Sequence, residues 1–395
     1  MPLREIPVEQ LRFGMYVSEL DRPWTETPFM FQGFVLSTPA QFEGLKKFCK
    51  SVCIDTEKGS DITGTGSPFR GGPKLPSVLD SIKTKATYEV KAEVTRELPV
   101  ARQAQTRTTT VMKDVFSSVQ AGKALDAPRV REAVASVTDS VVRNPDAMLL
   151  LAKMKEQSSS TLDRAMGVSI YMITFGRFLH LPREQLDLLG MLGLLQDVGK
   201  LKLPPELLNK KEPLSETELK VCRTHVRHSV AILEKTTGLP DGLPALAALH
   251  HERVDGTGYP AGLKGPQIGL FGGIAGLIDC FDALISPKPY GKTVPPSEAL
   301  NMLYYSRDSQ FDGPLVEQLI QCIGIYPVGA VVELHSGEIG IVIARNPVLK
   351  LFPRVMVVMD MWRNKLKPTR IVEQAGIKRA LSKEGIDIDP SEYFI

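Results

Sequence analysis

Apolar residues recur three and four positions apart over most of the segment from about residue 100 to residue 325. This spacing is the period of an amphipathic α-helix. Residues 186–195 are apolar on nearly every side, which predicts a central, buried helix. Ser215 followed by Glu218 predicts the start of another helix, because the hydroxyl and the carboxylate can each satisfy a free backbone N–H. The segment therefore predicts a domain of packed helices.

The two ends of the chain follow a different pattern. Short apolar runs separated by turn residues precede a Gly-, Ser- and Pro-rich stretch, and strand-like runs return after Pro327. We predict a mainly α protein with a small N-terminal α+β domain and a β-rich C-terminal tail. Its predicted parts are an N-terminal domain (1–58), a linker (59–100), a helical domain (101–326) and the tail (327–395).

Composition limits the classes of partner. The formal charge of +3, from 48 basic and 45 acidic residues, is too small to indicate a nucleic-acid partner. We find no apolar run approaching the roughly 18 residues that a membrane span needs, and Arg4 and Glu5 argue against a signal peptide. Five scattered cysteines suit reduced thiols without a disulfide. We expect a cytoplasmic protein without a membrane span.

Histidines and aspartates lie within the apolar helical segment. Asp197 follows the most apolar helix, Asp279 lies in another apolar run, and His225 lies at the edge of an apolar stripe that leaves His228 outside. That stripe, on the helix predicted to start at Ser215, consists of Leu219, Cys222, Val226, Val230 and Leu233. A single histidine is more often a core or surface residue than a ligand. Several buried imidazoles and carboxylates together are costly unless they are paired or bind a cation.

An ordered series of motifs then identifies a family resemblance. The series is LQDVGK at 195–200, His225, HHE at 250–252, DGTGYP at 255–260 and DCFDAL at 279–284. It resembles the HD-GYP subgroup of the HD metal-dependent phosphohydrolases, the phosphodiesterases that linearise cyclic di-GMP. The segments LRFGMYV at 11–17 and LDRPW at 20–24 resemble the small domain of unknown function that often precedes HD-GYP.

The resemblance implies a site for divalent metal, iron or manganese, bridged by Asp197. It implies that one ion takes His225, His250 and His251, all of which are present. The other ion takes Asp279 and two histidines, and those two positions hold Gln196 and Arg164 here. Some relatives add a glutamate that binds a third ion, and the comparable position in this chain is Ser160.

These two departures predict one ion per chain, because a guanidinium cannot deprotonate and cannot ligate a metal. We expect Arg164 either to pair with Asp279 or Asp197 in place of the missing cation, or to be a solvated residue on the first turn of its helix. The predicted metal ligands are therefore Asp197, His225, His250, His251 and Asp279.

The resemblance also implies residues for the ligand. Asp197 and Lys200 are the predicted catalytic residues, and Lys200 is a candidate for holding a phosphate. The segment KPYGK at 288–292 stands where the family has a more arginine-rich phosphate-contacting run. The predicted ligand contacts are Lys200, Arg164, Lys288, Tyr290 and Lys292. The GYP loop is a candidate contact for GGDEF-type proteins, and a homodimer is left open.

Three functions are compatible with these residues. The lost ligands favour a protein that binds cyclic di-GMP, or a signalling partner, without efficient hydrolysis. An active metal-dependent cyclic di-GMP phosphodiesterase is the alternative, since a one-ion site still polarises water. A helical scaffold that binds neither metal nor nucleotide is the third, and the retained four-ligand set argues against it.

Overall fold

The computed structural model describes residues 3–22, 33–36, 39–57, 59–60, 77–155, 161–287, 293–346, 349, 352–381, 388 and 390–394. The chain divides into two compact units, residues 1–74 and 75–395. The fold is mainly α, with small sheets near both ends of the chain, which confirms the predicted fold class. The domain boundaries near residues 58, 100 and 326 stay predictions.

The first unit is a four-stranded antiparallel sheet with one helix. In chain order its elements are β1 (Leu3–Pro7), β2 (Tyr16–Leu20), β3 (Phe34–Val35), α1 (Pro39–Phe48) and β4 (Ser51–Asp55), with strand order β1-β4-β2-β3. Alternate residues such as Val52 and Ile54 point into its core, as the period of a half-buried strand requires. A small apolar core thus forms within this unit alone.

The second unit contains the predicted helices. They are α2 (Val94–Gln120), α3 (Ala127–Arg143), α4 (Pro145–Lys155), α5 (Thr161–Phe178), α6 (Arg183–Leu195), α7 (Pro205–Leu208), α8 (Glu216–Arg223), α9 (His225–Glu234), α10 (Leu243–Ala247), α11 (Gly269–Ile285), α12 (Pro296–Tyr305) and α13 (Gly313–Ile323). Helix α6 is buried over Leu189–Leu195, as its all-round apolar sequence predicts. It packs closely on α5, because a Cβ at Gly193 would lie 2.5 Å from Ser169 Cα.

The helix predicted to start at Ser215 is two helices. The capping box is present, since Ser215 Oγ accepts from Glu218 N–H and Glu218 Oε2 accepts from Ser215 N–H. The chain turns at Thr224, and α9 begins at His225. The expectation that Leu219 belongs to a buried stripe is therefore wrong, because 41% of this residue is exposed.

A five-stranded antiparallel sheet follows the helices. Its strands are β5 (Val331–Leu334), β6 (Ile339–Ala344), β7 (Arg354–Met359), β8 (Lys365–Val372) and β9 (Ile377–Ala380), in the order β8-β7-β6-β5-β9. Arg345 fixes this sheet to the helices, because its Nε donates to Asp146 Oδ1 at 2.7 Å and its Nη1 to the Cys322 carbonyl. All five cysteines of the chain are free thiols.

One segment corrects an expectation about membranes. Gly265–Ile285 is 21 residues long and apolar enough to span a bilayer by length and composition, so the expectation that no run approaches this length is wrong. In the structure 67% of its 18-residue apolar window is buried by the rest of the protein. Helix α11 also carries Asp279 and Asp282, which lie at the site described next.

Candidate metal centre

Four side chains from separate parts of the helical unit converge on one point. One ligand atom from each of Asp197, His225, His250 and His251 lies within 4.8 Å of the others. Asp197 lies two residues after the end of the buried helix α6, His225 begins α9, and the two adjacent histidines follow α10. The fold thus brings together the four residues that the sequence analysis assigned to one ion.

Close backbone packing places Asp197 beside His225. The 3-10 segment Val198–Lys202 follows Asp197 and packs on α9. Gly199 is required there, because a Cβ would lie 2.1 Å from the His225 carbonyl oxygen. Gly199 N–H also donates to Ser229 Oγ at 2.8 Å. Any side chain at position 199 would therefore separate the aspartate from this imidazole.

Backbone carbonyls fix the orientation of two imidazoles. Nδ1 of His225 lies 2.6 Å from the Cys222 carbonyl oxygen, and Nδ1 of His250 lies 2.7 Å from that of Ala247. A carbonyl can only accept, so each Nδ1 carries the hydrogen and each Nε2 presents a lone pair. This is the arrangement that metal-binding histidines use.

These lone pairs face one another and a carboxylate. Nε2 of His225 lies 3.3 Å from Asp197 Oδ1 and 3.4 Å from Nε2 of His250. Asp197 Oδ1 is buried and has no hydrogen-bond partner among the described residues. Acceptors this close repel each other unless a cation lies between them. Nitrogen and oxygen donors in this number suit a divalent transition metal.

The protonation states agree with a cation site. Burial and the neighbouring His250 lower the pKa of His251 well below its ordinary value, so this imidazole is neutral. Burial alone would raise the pKa of Asp197. The positive charge of Lys200 nevertheless helps to hold that pKa well below the usual range. Lys200 Nζ lies 2.6 Å from Asp197 Oδ2, which leaves Oδ1 facing the histidines.

Arg164 lies beside the cluster and contacts two aspartates. Its Nη2 is 3.1 Å from Asp279 Oδ1, and its Nε is 3.2 Å from Asp282 Oδ2. The guanidinium side chain is 29% exposed, whereas the two aspartate side chains are 5% and 4% exposed. The expected pairing of Arg164 with an aspartate is present, at Asp279, and a freely solvated Arg164 is excluded.

Asp279 lies next to the four-residue cluster but outside it. Its Oδ2 is 3.8 Å from Nδ1 of His251, and its Oδ1 is bonded to Arg164. Sequence reasoning missed Asp282 as a member of this arrangement. Its signal was the spacing of three residues from Asp279 on one helix, which places both carboxylates on the same face.

Gln196 occupies the position where the family resemblance implies a histidine. It is 1% exposed, and neither its amide nitrogen nor its carbonyl oxygen has a hydrogen-bond partner in the part of the chain that the structure describes. A buried unpaired amide costs free energy, about 1–3 kcal/mol by mutational measurements on other proteins. The polar group at this position is thus kept at the expense of stability.

The GYP loop is held against the cluster by one buried carboxylate. Glu252, 3% exposed, accepts the N–H of Ala261 at 2.7 Å and of Leu263 at 2.9 Å. Gly258 allows the loop to close, because a Cβ there would lie 2.4 Å from Arg253 N. The Tyr259 ring consequently lies with its centroid 4.7 Å from that of His251. The loop therefore forms one wall of the site.

Several predicted residues lie outside the described residues. Lys288, Tyr290 and Lys292, predicted ligand contacts, are among them, and so is Ser160. His228 is exposed, as expected.

Comparison with known proteins gives two family matches. The HD domain family matches residues 147–315, which include every member of the four-residue cluster. The domain of unknown function DUF3391 matches residues 3–130. The N-terminal match covers the first sheet and continues through α2.

Individual relatives are similar over different lengths. The cyclic di-GMP phosphodiesterase PA4108 of Pseudomonas aeruginosa is 32% identical over 357 residues, which are 90% of this chain and 85% of that protein. The cyclic di-GMP phosphodiesterase response regulator RpfG of Xanthomonas campestris is 38% identical over 36% of this chain and 38% of its own length. The 3'3'-cGAMP-specific phosphodiesterase 3 of Vibrio cholerae is 30% identical over 46% of this chain and 39% of its own.

Proposed function

Because the chain belongs to the HD-GYP family of HD-domain proteins, we propose that it is a cyclic di-GMP signalling protein that binds the nucleotide and hydrolyses it weakly or not at all. One observation carries the proposal. A guanidinium, that of Arg164, is bonded to Asp279, the aspartate that the family resemblance assigns to an ion missing two further ligands. A permanent cation can hold an anionic ligand, but it cannot supply an activated water.

The remaining ligand set supports one bound ion. Asp197, His225, His250 and His251 would hold it, and iron or manganese is the expected metal. When bound, the ion supplies Lewis-acid polarisation of a phosphoryl oxygen and lowers the pKa of a coordinated water. Asp279 is taken out of this set by its ion pair with Arg164.

The residues around the cluster supply the charge that a phosphodiester needs. Lys200 and Arg164 are both partly exposed, at 21% and 29% of their side chains, so each can meet a ligand from outside. Lys200 would hold a phosphate oxygen and stabilise negative charge next to Asp197. Lys288, Tyr290 and Lys292 remain proposed contacts to the same ligand.

An active cyclic di-GMP phosphodiesterase is the second candidate. The four intact ligands favour it, and so do the phosphodiesterase names of the relatives. Asp197 and Lys200 would be the catalytic residues in this case. Asp197 would help to hold the metal ion, and Lys200 would stabilise the negative charge that develops on the phosphate. The two candidates predict the same binding and differ in turnover.

The first experiment measures binding and turnover on the same protein. The full chain, loaded with Mn²⁺ or Fe²⁺, would be titrated with fluorescent cyclic di-GMP, and the linear product would be followed by chromatography. Binding with little product supports the proposal. Rapid product formation replaces it with the second candidate, and absence of binding rejects both.

The second experiment restores the missing ligands. We expect the double variant Gln196→His plus Arg164→His to take up a second ion, because both imidazoles would join Asp279 as ligands of that ion. Cyclic di-GMP cleavage should then increase by a large factor. Gln196→Ala with Arg164→Ala is the matched control, since it removes the same groups without adding ligands. Equal rates in the wild type and the histidine variant would contradict this assignment of the limiting positions.

Three further assignments belong to the same proposal. We place the protein in the cytoplasm, and we propose the exposed part of the GYP loop, around Asp255 and Thr257, as the contact for GGDEF-type proteins. A homodimer is compatible with this use of the loop.

A further inference from the structure

A third cation lies near the candidate metal centre, and neither the motif series nor the ligand set includes it. Arg223 is the last residue of α8 and is exposed. Its guanidinium carbon lies 4.8 Å from the centroid of the Tyr259 ring, a distance at which a cation and an aromatic face attract each other. The same ring lies beside two members of the four-residue cluster, with its centroid 4.7 Å from that of His251 and 6.5 Å from that of His225. Tyr259 therefore contacts both Arg223 and the cluster.

The Tyr259 ring is a fixed support for this guanidinium. The Glu252 carboxylate accepts the N–H groups of Ala261 and Leu263, shortly after Tyr259 in the chain. Tyr259 N–H donates to the His251 carbonyl at 3.1 Å. Gly258 packs directly on the backbone of Glu252 and Arg253. A group that stacks on a fixed ring loses less conformational freedom when it binds a ligand than a free surface arginine does.

Arg223 differs from the other two cations of the site in its partners within the described part of the chain. Lys200 is paired with Asp197, and Arg164 is paired with Asp279 and Asp282. Among the described residues, no carboxylate lies within ion-pair distance of Arg223, and no hydrogen-bond acceptor is bonded to its guanidinium. A position in the last turn of α8 contributes a favourable interaction with the helix dipole, but this contribution does not require the stacking on Tyr259.

We propose that Arg223 contacts a phosphate of the bound cyclic dinucleotide, namely the phosphodiester that does not lie at the four-residue cluster. The proposal rests on the function proposed above and adds a residue to it. A cyclic dinucleotide has two phosphodiesters, each with one negative charge, and a single metal centre with Lys200 addresses one of them. The second carries a charge of its own, and a guanidinium on a rigid aromatic support at the rim of the site can bind it, in addition to the contacts proposed above.

The experiment compares three substitutions by titration of the full-length, metal-loaded chain with fluorescent cyclic di-GMP. Arg223→Gln removes the charge, and we expect affinity to fall roughly tenfold or more, as for loss of a hydrogen bond to a charged group. Arg223→Lys keeps the charge and should retain most of the affinity, because a phosphate accepts a point charge. Arg227→Gln, an exposed arginine four positions later, is the control and should bind as the wild type does.

Each outcome has a distinct meaning. Failure of the wild type to bind cyclic di-GMP would reject the proposed function itself. Wild-type binding with unchanged affinity in Arg223→Gln would overturn only the role of Arg223. Equal losses in the lysine and glutamine variants would also overturn it, because a residue that reads the guanine edge needs the planar fork of arginine. A melting temperature unchanged from the wild type would show that the loss is not a folding defect.

Discussion

Nη2 of Arg164 lies 3.1 Å from Oδ1 of Asp279, and through Nε the same guanidinium reaches Asp282. The sequence of α11 places these two carboxylates in a buried helix, where each needs a positive partner. Arg164 provides that partner from α5, so part of the packing of these helices depends on one charge. This relationship links the stability of the protein to its metal chemistry.

We expect Arg164→Leu to destabilise the metal-free protein by about 3 kcal/mol, since it leaves buried carboxylates without a counter-charge. Urea unfolding measures the change. Arg107→Leu is the matched control, because Arg107 forms an exposed ion pair with Glu132 and should cost about 0–1 kcal/mol. Equal losses in the two variants would mean that the Arg164 pairing carries no particular weight.

Metal content tests the four-residue cluster directly. The wild type should bind about one ion per chain, and His225→Ala should lose most of it, because the Nε2 lone pair is removed from the centre. His228→Ala, three residues along the same helix and exposed, should keep the wild-type content. Elemental analysis after gel filtration gives both values. A content near two ions in the wild type would contradict the single-ion site.

Glu252→Gln should loosen the GYP loop. The carboxylate accepts from the amides of Ala261 and Leu263, and a neutral amide side chain forms weaker bonds to both. Hydrogen exchange at these two amides should become roughly 10- to 100-fold faster, as expected for loss of 1.5–3 kcal/mol. The exposed residue Glu234 provides the control, since Glu234→Gln should leave exchange at both amides unchanged. Unaltered exchange in Glu252→Gln would show that other contacts hold the loop.

The C-terminal sheet should respond to acid through Glu333. Lys378 and Arg379 lower the pKa of this carboxyl from 4.5 to about 2. A depressed folded-state pKa stabilises the protein above pH 4.5, and this contribution is lost as the pH falls from 4.5 towards 2. The free energy of unfolding should therefore fall more over this range in the wild type than in Glu333→Gln. Glu373→Gln is the control and should follow the wild type; parallel curves for all three proteins would exclude a role for Glu333.

Much of the fold and of the site could be predicted from the sequence, because both depend on local patterns. The 3.6-residue period predicted the helices, and the capping box at Ser215 predicted a helix start that is present in the structure. The motif series gave Asp197, His225, His250 and His251, which converge in space. Those ligands were recognisable because their order and spacing along the chain are specific.

The tertiary structure alone decided which charged groups meet. The sequence allowed Arg164 to pair with either of two aspartates or with none, whereas the packing of α5 on α11 selects Asp279 and adds Asp282. Helical periodicity assigns a residue to a face but does not say which side chain lies opposite, so the stacking of Arg223 on Tyr259 left no signal in the sequence. Residue type and spacing determine what a site can contain, and the distances set by packing determine which of its charges remain available to a ligand.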